Sequence, residues 1–111
     1  MKLLTKQIHD DLMKQYPLGS DIDSQMVIAK VFNPCGVYTA YLLNADPAEA
    51  DDPDYMWAIV KNCEVEMGSV SLKELQAVRV PPFGLPLERD LYFKPIPAKE
   101  VWERLLRGEH V

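Results

Sequence analysis

Apolar residues recur at helical spacing near the start of the chain, at Leu4, Ile8, Leu12 and Tyr16. Thr5 is a residue type that caps helix N-termini, and Pro17 with Gly19 supplies the signals that end a helix. The pattern therefore predicts an amphipathic helix over residues 5–16, with its polar face in water.

The period changes from Gln25 onwards, where apolar stretches alternate with turn residues. Four stretches have strand composition, with the sequences QMVIAKVF, VYTAYLL, YMWAIV and CEVEMGSVS. The first two are joined by NPCG, in which Pro34 and Gly36 stand at favoured turn positions. In the last, Glu64 and Glu66 alternate with apolar residues, as in a strand with one buried face. These features predict an antiparallel meander of about four strands.

Two further helices are predicted after the meander. The sequence SLKE is a capping box, in which Ser71 and Glu74 satisfy each other's backbone N–H groups, so a short helix is expected over residues 72–77. The sequence PAKEVWERLLRG predicts a final helix with an apolar face. A sheet with the N-terminal and C-terminal helices packed on one of its faces would bury these apolar surfaces together. We therefore predict an α+β fold in a single domain, residues 1–111.

Composition narrows the functional classes. With 111 residues, of which 48% are hydrophobic and 26% charged, the chain suits one globular core. The formal net charge of −5 disfavours nucleic acid as a partner, because nonspecific binding to phosphates needs clustered Lys and Arg.

Cys35 and Cys63 lack the spacing of a zinc or redox motif and are expected to be free thiols. The N-terminus lacks a signal-peptide pattern and no segment has membrane-spanning length, so we expect a cytoplasmic protein without membrane contact.

Several carboxylates are candidate metal ligands. Glu64 and Glu66 lie two residues apart on a predicted strand and, with Glu88 or Asp90, would supply the ligands of a magnesium- or manganese-dependent nuclease. Alternating glutamates also keep an exposed strand face soluble, and this interpretation is favoured, so no cofactor is predicted. The acidic run at residues 46–54 lacks the glycine and spacing of a calcium loop, and an irregular solvated connection is expected there.

The segment PFGLPLERDLYFKPIP, residues 82–97, places three charged residues between apolar ones. Its prolines fit a sheet edge or a strand-like crossing, because proline cannot donate a backbone hydrogen bond. In an extended conformation the side chains divide between two faces, with Leu87, Arg89, Leu91 and Phe93 on one and Glu88, Asp90 and Tyr92 on the other. A guanidinium in an apolar setting needs carboxylate or carbonyl partners, so Arg89 is interpreted first as a structural tie and second as part of a ligand-binding groove.

Three sequence blocks occur in order along the chain: MKLLTKQI, MGSVSLKEL and VRVPPFGLPLERDLYFKP. In these blocks the chain resembles a family of small bacterial proteins that are often carried on plasmids and integrative elements and are described as a domain of unknown function. The resemblance covers most of the chain and implies no established activity, although some related sequences are labelled single-stranded DNA endonuclease. The chain departs from the family pattern at Val37 and Ser69, where aromatic residues are usual.

One main functional hypothesis and two alternatives follow. We expect a non-catalytic binding or accessory module of a mobile genetic element, which contacts another protein through a surface formed by Arg79, Glu88, Arg89, Asp90 and Tyr92. The first alternative is a metal-dependent single-stranded DNA endonuclease in which Arg89 holds a phosphate. The second is an acidic protein that mimics DNA and occupies the nucleic-acid groove of another enzyme. The sequence carries no signal for an oligomeric state.

Overall fold

The first helix, α1 (Lys6–Lys14), begins where the sequence predicts it, in a computed structural model that describes residues 3–46 and 55–111. The Thr5 hydroxyl accepts a hydrogen bond from the Ile8 backbone N–H at 3.2 Å and so caps the helix. Pro17 falls in a 3₁₀ turn, Tyr16–Leu18, which follows the helix end. Leu12, on the apolar face of α1, is fully buried.

The described part of the chain forms seven strands: β1 (Met26–Val27), β2 (Ala29–Phe32), β3 (Thr39–Ala45), β4 (Met56–Lys61), β5 (Val65–Val70), β6 (Glu88–Arg89) and β7 (Ile96–Pro97). Strands β2 to β5 form the predicted antiparallel meander, and β6 adds a fifth strand beside β2, which gives the order β5-β4-β3-β2-β6. Strands β1 and β7 pair in a separate two-stranded sheet. The predicted α+β class and meander are confirmed, with one more strand in the main sheet.

The predicted strand at residues 25–32 is divided in the structure. Met26–Val27 pairs with Ile96–Pro97, whereas Ala29–Phe32 pairs with β3. Ile28 lies between the two, and its backbone N–H donates to the Leu42 carbonyl at 2.9 Å. No local pattern marks the division, because the residues on both sides of it are apolar.

The two remaining helices, α2 (Leu72–Ala77) and α3 (Ala98–Leu106), form at the predicted positions. The Ser71 hydroxyl accepts from the Glu74 backbone N–H at 3.3 Å, as expected for the capping box. Helix α3 buries Val101 and Leu105, whereas Leu106 is exposed because it lies about 100° round the helix from Leu105. In the described residues, no helix combines the length and the apolar character needed to cross a membrane.

Helices α1 and α3 lie on opposite faces of the main sheet, which corrects the prediction that both pack on one face. Leu42 of β3 packs with Leu12 of α1 in a first cluster, called here the α1-side cluster. Leu43, the next residue of the strand, packs with Val101 of α3 in a second cluster, the α3-side cluster. Consecutive strand residues project to opposite faces, so the two clusters cover the two sides of the sheet. A single covered face would leave the second apolar set of this strand in water.

Two predictions concern the connections between strands. Cys35 and Cys63 lie in the turns that join β2 to β3 and β4 to β5, and both are exposed free thiols, as predicted. Residues 47–54, which hold most of the acidic run, lie outside the described residues. The solvated acidic connection therefore stays a prediction.

Candidate functional site

Strand β6 forms one edge of the main sheet and carries two of the residues singled out from the sequence. Its register places Glu88 opposite Phe32 and Arg89 opposite Val31. Val31 belongs to the α1-side cluster, so the Arg89 side chain lies on an apolar face, as predicted. There the guanidinium donates to the backbone carbonyl of Leu3 at 2.6 Å. Arg89 thus makes a structural tie to the N-terminal segment, 86 residues away in sequence.

Hydrogen bonds fix the turn that follows β6. The Asp90 backbone N–H donates to the Lys30 carbonyl, and the Asp90 carboxylate accepts from the Tyr92 backbone N–H, both at 2.9 Å. The same carboxylate lies 3.9 Å from the ammonium group of Lys30, whose side chain is only 13% exposed. That ammonium group also donates to the main-chain oxygen of Val111 at 2.6 Å. One largely buried lysine therefore connects the turn with the C-terminal residues.

Leu91 and Tyr92 project from this turn into water, with 67% and 92% of their surfaces exposed. Phe93 packs in the α3-side cluster, whereas Leu87 packs in the α1-side cluster. The prediction that Leu91 and Phe93 share a face with Leu87 is therefore wrong. The reason is that the Asp90 side chain hydrogen-bonds two residues ahead and closes a turn, which ends the extended conformation.

A groove of about 310 Å³ lies between this turn and α1, and we call it the turn groove. Its lining includes Ile8, Asp11, Ile28, Leu91 and Phe93. Arg89 and Asp90 also border it, so two of the predicted site residues lie at a concave surface. The volume is at the lower end of the range for ligand pockets.

Arg79 lies at the end of α2 and has partners of its own. Its guanidinium donates to the carbonyls of Gln76 and Val78 at 3.0 and 2.7 Å, which satisfies acceptors at the C-terminal end of the helix. Across residues 3–46 and 55–111, no hydrogen bond or ion pair joins Arg79 to Glu88 or Tyr92. The structure thus brings Glu88, Arg89, Asp90 and Tyr92 together by sequence neighbourhood, and Arg79 has no hydrogen bond or ion pair to this group among the described residues.

The candidate metal ligands are separated by the sheet. Glu66 lies in β5 at one edge, and Glu88 lies in β6 at the other. Four inter-strand spacings of about 4.8 Å put roughly 19 Å between these strands, far more than two ligands of one ion allow. Glu64 lies in the turn before β5, so the predicted strand face shared by Glu64 and Glu66 is wrong. Within the described residues, no three His, Cys, Asp or Glu side chains are grouped closely enough to hold a metal ion.

Comparison with known proteins gives one match. The model of a family described as "Protein of unknown function (DUF2958)" matches residues 3–108. The chain belongs to this family. The DUF2958 match confirms the resemblance to a family described as a domain of unknown function, and its range includes β6 and the turn after it. No curated protein and no solved structure is significantly similar to the chain.

The roles of two residues in this DUF2958 protein, Lys30 and Leu91, are not predicted from the sequence, although each has a recognisable sequence signal. Lys30 stands alone in the apolar stretch VIAKVF, and a lysine among such neighbours needs a carboxylate partner, which Asp90 supplies. Leu91 is predicted on a buried face but is exposed. Asp90, two residues before Tyr92, is a residue type that closes such turns and gives the missing signal.

Proposed function

We propose that the chain is a non-catalytic binding module, which contacts a partner protein through β6 and the turn after it. The observation that carries the proposal is the exposure of Leu91 and Tyr92 on backbone that Asp90 and Lys30 hold in place. Burial of a large apolar side chain contributes about 1.5–3 kcal/mol, and Leu91 and Tyr92 lack most of this stabilisation because they are exposed. A partner that covers them gains it without first having to order the turn.

The predicted site residues take different parts in this proposal. Tyr92 is the anchor, because tyrosine dominates binding energy in many interfaces and this side chain is almost fully exposed. Glu88 is exposed on the edge strand and supplies a polar contact beside it. Arg89 and Asp90 position the strand and the turn through their own hydrogen bonds, and Arg79 contacts the partner only at the margin.

Charge and family membership support the class of partner. The formal net charge of −5 favours a protein surface of positive charge, since complementary charge accelerates association. It also continues to disfavour nucleic acid. The resemblance to proteins carried on plasmids and integrative elements supports an accessory role in a mobile genetic element, within the cytoplasm and without a metal or other cofactor.

The test is affinity capture from an extract of the host cell, followed by reconstitution with the purified partner. We expect Tyr92→Ala to weaken binding in isothermal titration calorimetry by about 30-fold, the effect of a hot-spot residue. Tyr55→Ala is the matched control, because Tyr55 is 66% exposed beside β4, on the far side of β2 and β3 from the turn. Sedimentation of the purified chain alone shows whether the partner is a second copy.

Three outcomes would contradict the proposal. Equal affinities of the Tyr92→Ala and wild-type proteins would remove the turn from the interface. Cleavage of single-stranded DNA that needs magnesium or manganese and disappears in Glu66→Gln would favour the endonuclease instead. Competition between DNA and this chain for the captured partner would favour the DNA mimic.

A further inference from the structure

A second groove, of about 420 Å³, lies between α2 and the main sheet, and we call it the α2 groove. Its lining includes Tyr38, Val70, Glu74, Leu75, Val78 and Leu87. The volume lies within the range of sites that hold a small ligand or a long side chain. Asn33, Ser69 and Ser71 also line it, but most of the wall surface is apolar.

Tyr38 and Glu74 are polar residues of the α2 groove whose side chains have no partner in the described part of the chain. The Tyr38 side chain is half-buried, and its hydroxyl makes no hydrogen bond to any described residue. Burial raises the pKa of Tyr38, so the hydroxyl stays protonated at neutral pH. The Glu74 carboxylate forms no ion pair with a described residue.

The charge of the α2 groove is one-sided. Glu74 is the charged residue of its lining, and neither Lys nor Arg is found among the described residues that line it. Arg79, one residue beyond Val78, directs its guanidinium to the backbone carbonyls at the end of α2. A ligand that complements this groove therefore has an apolar stem and a cationic end.

We propose that the α2 groove takes an arginine side chain of the partner protein, with its guanidinium between Glu74 and Tyr38. Arginine fits because its stem can cover Val78 and Leu87, while its planar fork can bind a carboxylate and stack on an aromatic ring. The inference rests on the proposed function for the existence of a partner and adds what that partner presents.

The α2 groove and the exposed turn can belong to one interface. Leu87 lines the groove and Tyr92 ends the turn, so the five residue steps from one to the other span at most about 17 Å. A standard protein interface covers about 800 Å² on each partner, a patch roughly 30 Å across. A single partner of ordinary size therefore reaches both features.

The first test uses a probe and needs no partner. Nα-acetyl-arginine amide is titrated into the protein and followed by backbone amide NMR shifts, with Nα-acetyl-norleucine amide as the uncharged control. We expect saturable shifts at Val70, Glu74 and Leu75 with a dissociation constant of about 1 mM. Glu74→Gln should weaken the probe about fivefold, since the carboxylate is exposed, and should keep the helix because glutamine also suits this capping position.

A second variant adds bulk on the side of β5 that faces the α2 groove, beside the lining residue Val70, without removing any contact. Gly68 faces the same side of β5 as Val70, and a Cβ built there would have no atom within 4 Å. Gly68→Leu should therefore abolish probe binding while the thermal melt shows a folded protein. Tyr92→Ala should leave the probe affinity unchanged, because it lies outside this groove.

The outcomes separate this inference from the proposed function. The inference is overturned if the norleucine probe gives the same shifts, or if Glu74→Gln or Gly68→Leu binds the arginine probe as the wild type does. It is also overturned if the purified partner binds Glu74→Gln with unchanged affinity while the probe does not, since the groove would then serve a free cation. Loss of partner binding in Tyr92→Ala alone would keep the proposed function and remove only the arginine contact.

Discussion

Replacement of Arg89 by methionine separates a structural role from a direct role in binding. Methionine keeps an apolar stem of similar length and removes the guanidinium that donates to the Leu3 carbonyl at 2.6 Å. Leu3 is buried, so its carbonyl loses a partner that water cannot easily replace. A hydrogen bond from a charged donor is worth about 1.5–3 kcal/mol, and we take about 2 kcal/mol as the expected loss in free energy of unfolding.

This loss converts to a measurable change in melting temperature. An unfolding entropy of about 2.1 cal/mol/K per residue gives roughly 0.23 kcal/mol/K for 111 residues. A loss of about 2 kcal/mol therefore lowers the Tm by roughly 9 °C. Circular dichroism melts at one protein concentration measure the difference directly.

Arg79→Met is the matched control for Arg89→Met. Arg79 also donates to two backbone carbonyls, but it is exposed, so its loss should cost less than about 0.5 kcal/mol, or about 2 °C. Equal changes in Tm for the two variants would refute the argument that burial makes the Arg89 hydrogen bond valuable. An unchanged Tm of Arg89→Met combined with lost partner binding would assign Arg89 to the interface instead.

Two further predictions concern the sheet. The Gln15 side chain donates to the Met26 and Leu43 carbonyls at 2.8 and 2.6 Å and accepts from the Met26 N–H at 2.8 Å, so Gln15→Ala should lower the free energy of unfolding in urea by about 2–4 kcal/mol. Gln7→Ala, which removes one exposed hydrogen bond, should change it by less than about 0.5 kcal/mol, and a similar loss in both would contradict the prediction. Burial raises the pKa of Tyr41, so its contribution to stability is complete below pH ~10 and is lost as pH rises through the raised value. Urea unfolding at pH ~9 and ~11 should show a smaller decrease in Tyr41→Phe than in the wild type, and equal decreases would exclude the effect.

The local elements follow from signals that lie close together in the sequence. Thr5 caps α1 through a residue three positions away, and Ser71 caps α2 in the same way. Such contacts form within one helical turn, so they need no knowledge of the rest of the fold. The meander is equally local, because each strand pairs with its neighbour in sequence across a short connection, apart from the acidic one.

The sequence does contain a signal that both faces of the sheet are covered, but this signal lies in strand β3 and not in the number of predicted helices. Strand β3 has the sequence TAYLLNA, and all its residues after Thr39 are buried. Its apolar run AYLL, residues 40–43, is typical of a strand that is buried on both faces. This run therefore favours α1 and α3 on opposite faces of the sheet over the prediction that both helices pack on one face.

The class of the fold, the meander and the positions of the three helices found in the described residues follow from the sequence alone, because these depend on hydrophobic period, caps and turns. In contrast, it takes the three-dimensional structure to show that β6 lies beside β2, that Glu66 and Glu88 lie at opposite edges, and that Arg89 donates to the Leu3 carbonyl. These relations join residues far apart in the chain. Such pairings are set by the path of the whole backbone and the burial it allows, and no pattern within one segment records them.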